Sequence, residues 1–185
     1  MSGRVSQIKK MIRRECVLNG REWFYNQHLL GVEKFAVALL KKLPSANPEI
    51  VMLGVWLHDL QRIRKIKGVH EKVGAAEAQK VMRDFKYTPS EIEQVRHMIL
   101  AHSCDTKIMP KTLEAKILSS ADGMSHYIND FYLTIACLGE RTTGEFKEWI
   151  QEKLSRNFTK KIQFPFARKM VARRHRLFKE VFTMG

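Results

Sequence analysis

The apolar run Ile50-Val51-Met52-Leu53-Gly54-Val55-Trp56-Leu57 ends in the pair His58-Asp59. The run reads as a buried segment, so the pair at its end must find partners. Burying a carboxylate without one costs several kcal/mol or more. A divalent metal ion is one such partner. His28, His70, His97, His102 and Asp122 offer further candidate ligands, each on a different predicted helix or near a helix end. That mixture of nitrogen and oxygen donors suits a borderline transition metal better than Mg or Ca, which prefer all-oxygen shells.

Helical periodicity dominates the rest of the chain, and no segment alternates like a strand. The pattern predicts helices near 4–17, 22–42, 48–64, 70–85, 89–103, 112–138, 143–156 and 165–182. Pro44-Ser45-Ala46-Asn47-Pro48 reads as a turn, with Pro48 near the first helical position. Thr88-Pro89-Ser90-Glu91 is a capping box, and it starts the helix that carries His102. A length of 185 residues allows one well-buried core and is short for two. The expectation is an all-α, single-domain bundle over residues 1–185. In the last helix Ala167, Met170, Val171, Leu177, Phe178 and Val181 form an apolar stripe that also contains Arg174. That arginine either reaches a buried group or snorkels at the helix edge.

The net charge of +14 is concentrated at the two ends. Residues 1–14 carry five basic residues and no acid, and residues 153–185 carry ten basic residues and one acid. The body between them is balanced. Basic ends suit weak nucleic-acid binding or simply a solvated face. The acid-poor N-terminus also has the look of a transit peptide, although Ile8, Met11, Ile12 and Cys16 make a better core-facing stripe. No apolar run approaches the roughly 18 residues that a membrane span needs. Cys16, Cys104 and Cys137 form no CxxC pair, which argues against a disulfide framework and a zinc knuckle. A reducing cytosol is the default location.

His28, then His58-Asp59, then Asp122 resembles the H…HD…D pattern of the HD-domain superfamily of metal-dependent phosphohydrolases. The flanks are similar too: His28-Leu29-Leu30-Gly31-Val32-Glu33-Lys34-Phe35-Ala36, Ile99-Leu100-Ala101-His102-Ser103, and Ala115-Lys116-Ile117-Leu118-Ser119-Ser120-Ala121-Asp122. The resemblance covers roughly residues 20–130 and leaves basic C-terminal helices at 143–182 beyond it. It implies an all-α fold and one metal ion on His28, His58, Asp59 and Asp122, with Asp59 central to catalysis. His70 and His102 match places where some members hold a second metal, and they serve otherwise as the substrate pocket. For His70 the alternative is a helix N-terminal residue with no ligand role.

His97 lies about 140° around its helix from His102, so the two should not face one site, and His102 is preferred. His126, one turn after Asp122, either orients that ligand or is a core or rim histidine. His175 reads as structural. Arg62 should follow one turn after the His-Asp pair on the same face. It either grips a substrate phosphate or forms an ion pair at the rim, and Lys67 is a second phosphate candidate.

The glutamate-aspartate pair that follows HD in alarmone hydrolases is replaced here by Gln61-Arg62, and no Gly-Tyr-Pro triplet follows. These departures leave the substrate open, with a small phosphorylated metabolite or nucleotide preferred over cyclic nucleotides and RNA ends. The ion it implies is a divalent transition metal (Mn, Fe, Ni or Co), with Mg as an alternative. The competing reading is a binding module in which the fold is a scaffold and the basic ends hold RNA or another polyanion without catalysis.

Overall fold

In the computed structural model, which describes residues 3–105, 108–128 and 130–183, the protein is built from helices, with no strand among the described residues. Helix α1 spans Gly3–Leu18, and α2 (Glu22–Phe24) runs through a π-turn (Tyr25–Leu29) into α3 (Leu30–Leu40). Then follow α4 (Pro48–Leu57), α5 (Leu60–Arg64), α6 (His70–Asp84), α7 (Pro89–Ala101) and α8 (Leu113–Ser125). Helix α9 covers Phe131–Cys137, and α10 (Thr143–Arg156) passes through a second π-turn (Asn157–Lys161) before α11 (Pro165–Thr183).

Helix α4 is the axis of the molecule. Every residue from Ile50 to Leu57 is buried, and α1, α3, α7 and α8 surround it. Burying each such aliphatic or aromatic side chain contributes about 1.5–3 kcal/mol. The helix starts where expected: the Asn47 side chain accepts from the backbone N–H groups of Glu49 and Ile50, and Pro48 occupies the first turn. The capping box at Thr88 and Glu91 is present at the start of α7. Gly54 permits close approach, because a Cβ there would lie 2.5 Å from Met98 Cε and 3.2 Å from Leu118 Cδ2. On α1, the side chains of Val5, Ile8, Ile12 and Cys16 are fully buried.

Three segments differ from the expected pattern. The helix expected over 48–64 breaks at His58-Asp59. The expected helix 112–138 stops at Ser125, where the chain tightens through a Tyr127 N–H to Met124 carbonyl bond. Arg174 donates to the carbonyls of Tyr127 and Ile128 at 3.2 and 3.1 Å, so it caps this helix end rather than reaching a buried carboxylate. In α11 the packed stripe is narrower than expected. Ala167 and Val171 are buried and Phe178 packs on the core, whereas Met170, Leu177 and Val181 are exposed. The face that meets the core recurs at 167, 171, 178 and 182, and the three exposed residues fall on its flank.

Candidate metal centre

The break at His58-Asp59 builds the site. In an unbroken helix the two side chains would diverge by about 100°. Here α4 ends with the His58 N–H bonded to Gly54 O, and Asp59 leaves helical geometry at φ −110°, ψ 20°. Its carbonyl then accepts from Arg62 and Ile63 to start α5. Both side chains therefore point to one centre, contrary to their expected placement on one continuous helix. The π-turn at Tyr25–Leu29 places His28 opposite them, and α8 supplies Asp122. Such single π-turns recur at functional sites, since the extra residue re-aims a side chain.

Four donors converge. His28 Nε2 lies 3.1 Å from Asp59 Oδ2, 3.4 Å from His58 Nε2 and 3.7 Å from Asp122 Oδ1, and His58 Nε2 lies 3.3 Å from Asp59 Oδ2. Donors bound to one ion at roughly 2.0–2.2 Å stand about 3.0–3.6 Å apart. The spacing fits an ion for two overlapping sets, His28 with His58 and Asp122, and His58 with Asp59 and His102, and all of these side chains are buried.

Hydrogen bonds behind the rings set which nitrogen faces the centre. His58 Nδ1 donates to Val55 O at 2.9 Å, and His102 Nδ1 donates to Ile99 O at 2.6 Å. Ser125 gives its only proton to Asp122 O at 2.8 Å, so its oxygen accepts from His28 Nδ1 at 3.2 Å. In each case Nε2 turns its lone pair inward, as a metal ligand requires.

Except at His58, the charge states agree with that arrangement. Burial alone would raise the Asp59 carboxyl, but His58, His28 and His70 outweigh it and hold Asp59 well below the usual carboxylate range. Burial likewise opposes ionisation of Asp122, and Lys161, His126 and His28 reverse it. Burial lowers His28 and, more strongly, His102 and His126. Burial would lower His58 as well, but Asp59 and Asp122 outweigh it and raise that imidazole.

Around these four, His102 and His70 close one side. His70 Nε2 lies 2.8 Å from Asp59 Oδ1, and the His70 and His102 rings are 5.3 Å apart. Gln61 positions His70: its amide nitrogen donates to Ile66 O, which leaves Oε1 for His70 Nδ1 at 3.1 Å. His126 aims Nε2 at Asp122 Oδ1 from 3.6 Å, beyond hydrogen-bond length, while Nδ1 meets the Asn157 amide at 2.8 Å. His97 lies elsewhere, accepting the Lys111 backbone N–H at 3.2 Å. His175 stacks on Phe158 with ring centroids 4.1 Å apart.

The centre forms the floor of a cleft of about 730 Å³. Arg62 Nε lies 3.4 Å from Asp59 Oδ1 with its side chain 54% exposed, and Lys67 stands at the exposed rim. Arg64 points away and pairs with Glu15 and Glu77. Trp23, Phe131 and Trp149 line another wall.

Three cleft residues escaped the sequence reading. Lys161 sits only 2% exposed against Asp122 Oδ2, and Lys153 and Arg156 join it from α10. Burial, then the neighbouring Lys161 charge, pushes the partly covered Lys153 amine down to about 7. In sequence these three merge into the basic C-terminal run. The basic C-terminal run, expected to be a solvated or nucleic-acid-binding face, thus gives these three residues to the cleft instead.

The HD-domain profile matches residues 25–126, more than half of the chain. The chain belongs to the HD-domain family. A solved HD-superfamily hydrolase from Bacillus thuringiensis superposes with a TM-score of 0.67 at 13% identity, over 96% of this chain and 92% of that one, which shows the shared fold. The 3'-5' exoribonuclease YhaM of Geobacillus sp. (strain WCH70) is 26% identical over 152 residues, covering 73% of this chain and 46% of that protein. The corresponding protein of Shouchella clausii (strain KSM-K16) is 21% identical over 150 residues, covering 72% and 46%. The chain thus spans about half the length of the curated relatives it matches. No helix among the described residues is long and apolar enough to cross a membrane.

Proposed function

We propose that the chain is a metal-dependent phosphohydrolase acting on a small phosphorylated metabolite or nucleotide. The observation that carries this reading is the convergence of His28, His58, Asp59 and Asp122 at 3.1–3.7 Å on the floor of a cation-lined cleft. These four residues hold one divalent transition metal of the Mn, Fe, Ni or Co type. When bound, that ion lowers the pKa of water and polarises a phosphoryl oxygen.

The chain's own groups do the rest. Asp59 is the carboxylate on which affinity turns, because three imidazoles and Arg62 share it. Arg62 presents a forked guanidinium to a phosphate arriving from the rim, and Lys67 extends that positive edge. His70 and His102 bound the open side as substrate pocket. Residues 1–185 act as one domain, since the segment after residue 126 completes the cleft. Three cysteines, all free, suit a reducing cytosol.

The names of the two curated relatives favour one second reading, a 3'-terminal ribonucleotide phosphodiester as substrate. The aromatic wall of Trp23 and Trp149 supports it, because bases stack on such rings. A polyanion-binding scaffold would need neither the four convergent donors nor the two Nδ1 partners behind His28 and His58.

The test is elemental analysis followed by assays with Mn, Ni, Co and Mg. Phosphomonoesters, nucleotides and 3'-labelled RNA serve as substrates. We expect turnover that chelation removes. A protein that takes up no metal and hydrolyses none of these would sink the reading.

A further inference from the structure

Asp122 divides its two oxygens between different partners. Oδ1 faces His28 at 3.7 Å and His126 at 3.6 Å, on the side of the four donors. Oδ2 faces Lys161 and, at 4.0 Å, His102 Nε2. The Lys161 ammonium therefore meets the Asp122 oxygen that faces His102, beside the second set of donors with ligand spacing, His58, Asp59 and His102.

The placement of Lys161 is built into the fold. The lysine ends the π-turn Asn157–Lys161, and the Ser119 hydroxyl lies 3.1 Å from the Lys161 carbonyl and 3.0 Å from that of His102. Asn157, at the start of the turn, donates to Tyr132 Oη at 2.8 Å. Gly123 gives the turn room: a Cβ there would stand 3.1 Å from Lys161 Cβ and 3.3 Å from Asn157 O.

The charge count points the same way. Among the described residues, the groups with metal-ligand spacing contain two carboxylates, Asp59 and Asp122. One divalent ion balances them, and Lys161 then leaves the centre with one positive charge, ready for a phosphate. A second divalent ion would raise that excess to three in a buried site of low effective dielectric, where like charges repel strongly.

We propose that Lys161 is the second cation of this site: it takes the place of a second metal ion, limits the protein to one, and binds the substrate phosphoryl group beside it. This rests on the phosphohydrolase reading above, but the residue lies outside the span that the HD-domain profile matches.

Titration calorimetry with Mn, checked by elemental analysis after gel filtration, gives the number of ions. One per chain is expected for the wild type, and two would overturn the proposal. Inorganic phosphate is the second probe. In the Mn-loaded wild type it should slow reductive methylation of Lys161 several-fold, and an unchanged rate at saturating phosphate would overturn the proposal without any variant. Lys161→Met should keep the first ion and weaken phosphate binding about tenfold or more, the loss expected of one charge-assisted hydrogen bond. Unchanged phosphate affinity in a folded Lys161→Met protein would also overturn it. If the wild type binds no Mn at all, the phosphohydrolase reading itself falls and takes this one with it. One bound Mn with a phosphate-insensitive Lys161 overturns this one alone.

Discussion

The Ser125 hydroxyl oxygen accepts the Nδ1 proton of His28 across 97 residues of sequence, at 3.2 Å. Because Ser125 spends its own proton on Asp122 O, one small side chain fixes the ring of one proposed ligand and the backbone of another. Ser125→Ala should weaken Mn binding by about tenfold or somewhat more, as loss of such supporting partners does. The fold should survive, since the helix that carries Ser125 ends there. Calorimetry on the variant checks this, and unchanged affinity would show that His28 needs no orienting partner.

Asp59→Ala should abolish turnover while leaving the helical circular-dichroism spectrum intact. It removes the carboxylate that His28, His58 and His70 share. His97→Ala should leave turnover within about twofold, because His97 bonds the Lys111 backbone rather than the centre. Equal damage from both changes would mean that the centre has been misplaced.

The ion-free protein should lose stability in acid. His28, His102 and His126 have folded-state pKa values below their ordinary one. Groups lowered on folding contribute stability above about pH 6.5 and lose it as pH falls through that value. The lowered carboxyls of Asp59 and Asp122 continue the loss at lower pH. His58 is raised and has the opposite sign, but it is one group against three. Thermal melts in chelator should therefore fall between pH 7 and pH 5, by about 2–4 °C for each kcal/mol lost. A midpoint that rises over that interval would reverse the sign.

Gly54→Val should destabilise the fold by about 1–3 kcal/mol, the usual cost of overpacking a filled core. Even the first added carbon would meet Met98 and Leu118, and valine brings two more. Urea titration of the ion-free protein measures it. No change would mean that α7 and α8 can move away from α4.

Helix periodicity, the start of α4 at Pro48 and the box at Thr88 were legible because each is a local pattern. That His28, His58, Asp59 and Asp122 would meet in space was legible through their flanks. The break at His58-Asp59 was not, because neither residue is a strong helix breaker and Asp59 starts α5 without a side-chain cap. Lys161 was hidden for a different reason. Within a run of ten basic residues, nothing local separates the one that faces a carboxylate from those that face water. Gln61 read as a departure from one subfamily's pattern, and only the fold shows it holding His70.

The rest of the basic end should behave as a polyelectrolyte patch. Lys169, Arg173 and Arg176 are exposed on α11 and recur at i, i+4 and i+7, so they form one stripe. That stripe lies apart from the cleft lining, which takes Lys153, Arg156 and Lys161 from the segment before it. RNA held by the stripe would be retained through phosphate contacts alone, and affinity would fall steeply with salt. Substituting Lys169 and Arg173 with Gln removes two such contacts. The slope of log affinity against log salt should then shrink by about 1.4, given roughly 0.7 per phosphate contact on a single strand. Turnover of a small phosphorylated substrate should stay unchanged, since neither residue touches the centre. Filter binding across a salt series and a steady-state assay on the same preparation separate the two effects. Joint loss of RNA retention and small-substrate turnover would place α11 in the active site and end the division drawn at Lys161.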